Sequence, residues 1–281
     1  MSQTDLAAVV NNIQTYWSPQ FTKRLRELLM LGGLVNKEYD GEIKRGGDTV
    51  RVQQIIDPTG QLLTVGTDSD SFNSEAISTT YVDVKADKRA VAAYEFTDLV
   101  ELQSMIDRDK VKDPLLFAMA KQMNDYLYSL VSPSTSSPDH DVGSTTALDK
   151  AALVAARVLA GAAKWPQDGK WFGLVSPTYW GDLLGDTTLA SGDYTEDKPI
   201  VGGQTARRLM GFDLFEDNSR TGKYALLAHP DFMHLVQQTA VNVQVSSTHA
   251  AKKFTYVMSV DIVFGAKLGI QGSTKHIKIS G

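Results

Sequence analysis

The chain has 281 residues, 42% of them hydrophobic and 22% charged, a balance that supports one large or two modest cores and excludes a disordered or fibrous protein. Its formal net charge of -5 leaves no overall positive field for polyanions, so nucleic-acid contact must be local or weak and a sequence-reading DNA binder is excluded. It contains no cysteine, which removes disulfide frameworks, thiolate catalysis and thiolate-bound zinc and leaves stability to packing or assembly.

The opening MSQTDLAAVVNNIQTYW lacks the basic and continuous apolar regions of a secretory signal. No later run reaches the roughly 20 apolar residues of a membrane span, so a soluble chain made inside the cell is expected. Apolar residues recur at helical spacing over 4–17 (Leu6, Val9, Val10, Ile13, Trp17) and 19–31 (Phe21, Leu25, Leu28, Leu29), predicting two short helices on an arm. Ser18-Pro19 suits the start of the second and Gly32-Gly33 its stop. That much apolar surface needs a neighbour, in its own domain or on another subunit.

In GGDTVRVQQIIDPTG, Val50 and Val52 share a strand face and Asp57-Pro58-Thr59-Gly60 is turn chemistry. YVDVKADKRAVAAYEF reads as the returning strand, and the polar stretch between them carries Asp68, Asp70 and Glu75. Residues 41–96 are therefore predicted to be a long two-stranded excursion with an acidic tip. A hairpin of that length is marginal alone, so it must lie on its own body or on an adjacent chain.

Thr97 is placed to cap a helix over 98–109, and Asp113-Pro114 to start a stronger one with a stripe of Leu115, Leu116, Met119, Met123, Tyr126, Leu127 and Leu130. The two can also be one helix bent at Pro114. SPSTSSPDHDVGSTT reads as a linker. A helix over 147–164 follows, with Thr146 as N-cap and Asp149 in its first turn. WFGLVSPTYWGDLL and YALLAHPDFMHLVQQ each predict a short strand running into a proline-started helix, with LMGFDLFEDN as a strand between them. This is a mixed α/β middle. Val241, Val243 and Val245, then Tyr256, Met258, Val260, Ile262 and Phe264, alternate with more polar residues and predict strands, and KHIKIS predicts a last one.

Catalytic and metal signatures are weak throughout. His229 and His234 are five apart, which fits neither a zinc-binding helix nor HExxH, so capping or surface packing is expected of them. Ser176 sits between a strand and a helix but lacks the flanking glycines of a nucleophile elbow, and an N-cap role accounts for it. The glycine pairs at 32–33, 46–47 and 202–203 fit no phosphate-binding pattern. Asp68, Asp70, Asp107, Asp109, Asp139 and Asp141 lie in polar stretches that read as solvated. The pairs Lys44-Arg45, Lys88-Arg89, Arg207-Arg208 and Lys252-Lys253 are scattered, which suits surface ion pairs better than a nucleic-acid stripe. No cofactor and no metal are expected.

The segments LVNKEYDGEIKRGGDTVRV, AYEFTDLVELQS, DPLLFAMAKQMNDYLYSLV, GKYALLAHPDFMHLVQQ and FTYVMSVDIVFGAKLGI, in this order and spacing, resemble the major capsid proteins of tailed bacteriophages, which share the Hong Kong 97 fold. The resemblance implies an α+β capsid fold. Residues 1–38 would be the N-terminal arm, 39–96 the E-loop hairpin with the first strands of the peripheral domain, and 97–132 the spine helix. Residues 133–240 would be the mixed α/β axial domain and 241–281 the strands returning to the peripheral domain.

It further implies a non-enzymatic subunit that self-assembles into pentamers and hexamers of an icosahedral virion shell, built in the host cytoplasm around double-stranded DNA without a membrane. A scaffolding protein and a portal would be its partners. From charge and topology, Asp68, Asp70 and Glu75 at the hairpin tip are expected to meet basic residues of a neighbour, with Lys252 and Lys253 as one candidate pair. Two alternatives are an encapsulin-type shell around protein cargo, and a hydrolase using Ser176 or an acid pair in the middle domain.

Overall fold

The computed structural model describes residues 26, 29–40, 42–43, 47–63, 72–97, 108–131, 141–144, 147–186, 208–238, 242–247 and 255–280. The first predicted arm helix (4–17) lies wholly outside these, and of the second (19–31) only residues 26 and 29–31 are described. There Leu31–Leu34 forms one helical turn, α1, through Gly32 and Gly33, which were expected to stop a helix. Leu31 is fully buried against the long helix, and that burial outweighs the glycines' helix cost of about 1 kcal/mol each.

β1 (Thr49–Ile55) and β2 (Thr79–Lys85) pair antiparallel as a two-stranded sheet, with Val50 opposite Val84 and Val52 opposite Val82. Val50 and Val52 are buried as their alternation required. The predicted single return strand is two. The chain turns at Ala86-Asp87, and β3 (Lys88–Thr97) joins a different sheet. Thr97, expected to cap a helix, ends β3.

The long helix α2 (Arg108–Leu130) runs through Pro114, so that proline lies inside the helix and does not start it. Proline leaves the Lys110 carbonyl without its usual donor. The buried residues Leu115, Met119 and Leu127 hold the helix together across that gap. Leu116, assigned to the stripe, faces outward, and Asn124 and Tyr128 are buried instead.

The predicted linker contains a strand, β4 (Asp141–Ser144). α3 (Lys150–Ala162) is capped by Asp149, whose carboxylate accepts from the Ala152 amide at 2.9 Å, so the cap lies three residues after Thr146. Next come β5 (Phe172–Val175), α4 (Pro177–Gly185), β6 (Arg208–Leu209), β7 (Phe212–Glu216) and β8 (Tyr224–Ala228). Pro230–Phe232 makes only a single 3-10 turn before β9 (Met233–Gln237), where a helix was expected. β10 (Asn242–Ser247), β11 (Thr255–Leu268) and β12 (His276–Ser280) complete the chain.

Two larger sheets organise these elements. In the first, β11 pairs with β3 along one edge and with β10 and β9 along the other, all antiparallel. In the second the order is β4-β12-β8-β5-β7-β6. β12 was expected to return with β10 and β11 but pairs with β8 and β4. The same alternation satisfies either sheet, and the packing of Ile277 and Ile279 beside Leu227 and Ala225 decides it.

α2 packs on β3, β9 and β11 and on one face of the six-stranded sheet through Phe172, Leu174, Leu226 and Ala228. α3 and α4 cover that sheet's other face around Trp165, Trp171, Tyr179 and Phe212. The hairpin root (Val50, Val52, Val84, Ala86) closes a third cluster with Ile43 and Val236.

His229 and His234 are both buried, so neither packs on the surface as one alternative had it. His229 caps the 3-10 turn: its Nδ1 accepts from the Asp231 amide at 3.2 Å, leaving Nε2 to donate to Asp168 at 3.2 Å. His234 meets Tyr39 edge to face at 5.4 Å and is pinned where Asn36 bridges to β9. Burial holds its imidazole below the ordinary value of 6.5, against the weaker opposing pull of Asp231 and Glu38. The unfolded chain therefore takes up this proton first as pH drops. Stability should be complete above about pH 6.5 and fall below it. Thermal midpoints measured from about pH 7.5 down to 5 should show this slope, and His234→Gln should flatten it. An identical slope in that variant would remove His234 as its source.

Candidate assembly surfaces

The hairpin is held at its root and bare beyond it. Across its outer face Arg51 makes a two-point ion pair with Asp83, at 2.7 and 3.0 Å, and lies over the Tyr81 ring at 4.2 Å. The guanidinium keeps the Asp83 carboxyl below its usual range. Past Ile55 regular pairing stops. The arms 56–63 and 72–78 are joined by the Ile56 amide to the Ser78 carbonyl at 3.0 Å, the Thr59 amide to Glu75 at 3.2 Å, and Gln61 to both backbone groups of Asn73.

The end of β1 carries Ile55 and these arms carry Ile56, Leu62, Leu63, Phe72 and Ile77 in solvent. Leu62 is 101% exposed, Ile77 85% and Phe72 73%. Two strands cannot bury both faces of themselves, and an apolar run with no core of its own marks a contact surface. Residue types alone could have signalled it: Leu62-Leu63, Phe72 and Ile77 sit in a stretch with neither helical nor strand periodicity.

Of the charged residues expected at this tip, Glu75 is turned onto its own hairpin through Thr59. Asp68, Asp70, Lys252 and Lys253 lie outside the described residues. Among the other basic pairs, Lys88 meets Asp87 at 3.4 Å, Arg89 meets Asp261 at 3.7 Å and Arg208 meets Asp213 at 4.0 Å, all as exposed surface pairs.

Further exposed apolar side chains lie at the flanks of the first sheet. Register places Tyr94, Met258 and Val245 in one row and Ala92, Val260 and Val243 in the next. The central Met258 and Val260 are fully buried, while Tyr94, Val243 and Val245 at the flanks stand exposed. α3 adds Val154 and Val158, one turn apart and facing outward.

The geometry does not assemble a hydrolase site around Ser176. Its hydroxyl donates to the Gly222 carbonyl at 2.7 Å and accepts from the Tyr224 amide at 3.2 Å, tying the start of α4 to β8. It makes no cap bond, so it occupies the N-cap position without the expected cap. β5 pairs with β8 from Phe172–Ala228 to Val175–Ala225. Ser176 and His229 therefore lie at opposite ends of that strand pair, too far apart for proton transfer. No group of three or more metal-ligating side chains occurs among the described residues, and no helix among them is long and apolar enough to cross a membrane.

This arrangement of hairpin, long helix and two sheets occurs in solved structures. A structure from Mycobacterium phage Che8 aligns with a TM-score of 0.79 at 19% identity, covering 96% of this chain and 97% of that one. The capsid structure of the cyanophage P-SCSP1u aligns with a TM-score of 0.76 at 12% identity over 97% and 94%. The capsid asymmetric unit of cyanophage Pam1 aligns at 0.72 and 13% identity over 99% and 98%. At such identities these likenesses establish the fold. No curated protein matches the sequence significantly. The family model described as phage capsid protein matches residues 70–260, well over half the chain, and the chain accordingly belongs to the phage capsid protein family.

Proposed function

We propose that this chain is the major capsid subunit of a tailed phage, with the Hong Kong 97 type of fold, whose copies form pentamers and hexamers that close into an icosahedral shell around double-stranded DNA. The observation that carries the reading is the hairpin: a two-stranded sheet with bare apolar arms, in a chain of the phage capsid family. Such arms gain their cover when they lie across the next copy. A hairpin seated on a different surface of its neighbour is a heterologous contact, which makes closed rings when the rotation closes. Each contact is modest, and repetition around a ring and over a shell makes the assembly stable.

In this reading residues 1–38 are the arm, 39–96 the E-loop with the first peripheral strands, 97–132 the spine helix, 133–240 the axial domain and 241–281 the return, except that β12 at its end joins the sheet of the axial domain. The net charge of -5 suits a shell that holds DNA without binding it specifically. A scaffolding protein and a portal are the partners such a shell requires, and the host cytoplasm is its place of assembly.

Electron microscopy and sedimentation velocity on the protein, expressed alone and with its neighbouring genes, test the reading. Capsomer rings or closed particles are expected, with scaffold or DNA inside. Protein cargo inside would point to a nanocompartment, and monomers under both conditions would end the shell reading. Within it, Asp68 and Asp70 meet basic groups of the neighbour, Lys252 and Lys253 among the candidates. Reversing both aspartates to lysine should lower particle yield severalfold while leaving the thermal midpoint of the subunit in place; normal yield would discard that pairing.

A further inference from the structure

β10 ends the first sheet on one side. It pairs with β11 from Asn242–Asp261 to Ser247–Tyr256, and among the described residues no strand pairs with its other edge. Its sequence, NVQVSS, holds no charged residue and no proline, and Val243, Gln244, Val245 and Ser246 are all exposed.

Outward amide and carbonyl groups on such an edge are free to pair with another chain, and natural edges are blunted by charge, proline or a covering segment. The other edges among the described residues follow that rule. β1 carries Arg51, and β2 carries Asp83 and Lys85. β3 carries Lys88, Arg89 and Glu95, β4 carries Asp141 and β6 carries Arg208. β9 has no Asp, Glu, Lys or Arg but is covered: the Asn36 amide donates to the Met233 carbonyl at 3.2 Å, and the Asn36 carbonyl accepts from the Leu235 amide at 2.9 Å.

Charge selects the occupant of the β10 edge. In an antiparallel pair about a two-fold axis every residue meets a residue of the same strand, so a charged edge sets like charges near one another. β10 has none to set. The outward backbone groups of a strand belong to alternate residues, so two copies pair with a residue on the axis. With Gln244 there, five residues of each strand overlap and Val243 stands opposite Val245 twice. Centring on Val245 leaves one valine pair, and centring on Val243 leaves an overlap of three residues. The rows Tyr94–Met258–Val245 and Ala92–Val260–Val243 then run on into Val243 and Val245 of the copy, giving one apolar face across six strands.

We propose that β10 pairs antiparallel with β10 of a second copy about a two-fold axis through Gln244, and that this contact joins one capsomer to the next. That use rests on the shell reading. The hairpin contact is heterologous and closes a ring, so a shell needs a second, different contact between rings, and a self-complementary strand supplies it.

The chain has no cysteine, so one engineered cysteine reports the register. Gln244→Cys places the two Cα atoms about 4.5–5.5 Å apart, inside the roughly 4.4–6.8 Å that a disulfide spans. Ser246→Cys sets them roughly 14 Å apart, four residues along the strands. Mild oxidation of assembled particles should turn most of the Gln244→Cys chain into dimers on a non-reducing gel and leave Ser246→Cys monomeric. Equal cross-linking of the two, or none at 244, as for an edge covered by its own chain, would overturn the pairing.

Gln244→Lys and Gln244→Glu each set like charges on the axis. Each should lower the yield of closed particles severalfold while capsomer rings persist and the midpoint of the subunit stays within about 2 °C. Co-expressing the two should raise the yield severalfold above either alone, because lysine then faces glutamate. Full yield from either single variant, or a mixture no better than its components, counts against the pairing. A wild-type chain that forms no particles would sink the shell reading alone, since the two cysteine variants oxidised as concentrated subunits still decide whether β10 meets its copy.

Discussion

Replacing Gly265 with alanine should leave little folded protein. A Cβ at this position would stand 2.0 Å from the Lys85 carbonyl oxygen, 2.6 Å from its carbon and 2.8 Å from Cα of Ala86. All three are backbone atoms, and neither side of the contact has room to give. Lys85 is the last residue of β2, paired with Thr49, and the Ala86 amide donates to the Asp48 carbonyl at 2.8 Å. On the other side β11 is clamped by β3 and β9 on either flank of Gly265. A methyl forced between two such backbones exceeds the ordinary 1–3 kcal/mol of overpacking, and a loss of about 4 kcal/mol or more is expected from a total that is commonly 5–15. Urea unfolding and soluble yield measure it. Gly161→Ala is the matched control: it lies on α3 with nothing within 4 Å, so it should be neutral or stabilising by up to about 1 kcal/mol. A Gly265→Ala protein as stable as wild type would mean that β11 does not pass beneath the turn from β2 to β3.

Removing the apolar side chains of the hairpin arms should have the opposite profile. The triple variant Leu62→Ser, Phe72→Ser, Ile77→Ser takes away surface that the lone subunit does not bury, so its thermal midpoint should match wild type within about 2 °C. On the proposed shell reading the same side chains are covered, at roughly 1.5–3 kcal/mol each. Three of them amount to about 5 kcal/mol per contact, and with each 1.4 kcal/mol worth a factor of ten, assembly should become undetectable at ordinary concentrations. Sedimentation velocity separates the outcomes. Full-sized particles from the triple variant would show that the arms are not the contact. Val52→Ser supplies the contrast, because that side chain is buried at the hairpin root and its loss should lower the midpoint of the subunit itself.

Much of this architecture is written in local pattern. The five alternating residues Tyr256, Met258, Val260, Ile262 and Phe264 specify a strand with one apolar face, and all but Tyr256 are fully or nearly fully buried. The stripe on α2 specifies a helix whose inward side is right at Leu115, Met119 and Leu127 and wrong at Leu116, an error that 3.6-residue geometry permits at the edge of an apolar arc. Pro114 was read both as a helix start and as a bend within one helix; the described part, Arg108–Leu130, runs through it as one helix.

The assembly surfaces were only partly legible. The excursion and its need for a neighbour follow from length and turn chemistry. Leu62, Phe72 and Ile77 could be suspected there from standing in a stretch without period, but that nothing of their own subunit covers them is a tertiary fact, because exposure is a property of what fails to approach a residue. Glu75 looked like a free acid at the tip and is bonded to Thr59 across the hairpin, a contact between residues 16 apart that no local rule encodes.

By itself the sequence missed β4 and took β9 for a helix, but it determined the strong periodicities, such as those of α2, α3 and β11, and that stability rests on packing in a chain without cysteine. These are properties of a residue and its near neighbours, so they survive without a partner in view. Only the tertiary structure decided which strand pairs with which. The segment 79–97 is split between two sheets at Ala86-Asp87, and β12 leaves β10 and β11 for β8. A period of two is satisfied equally by any sheet with an apolar side, and the choice is made by long-range fit: the space left at Gly265 and the burial of Ile277 and Ile279.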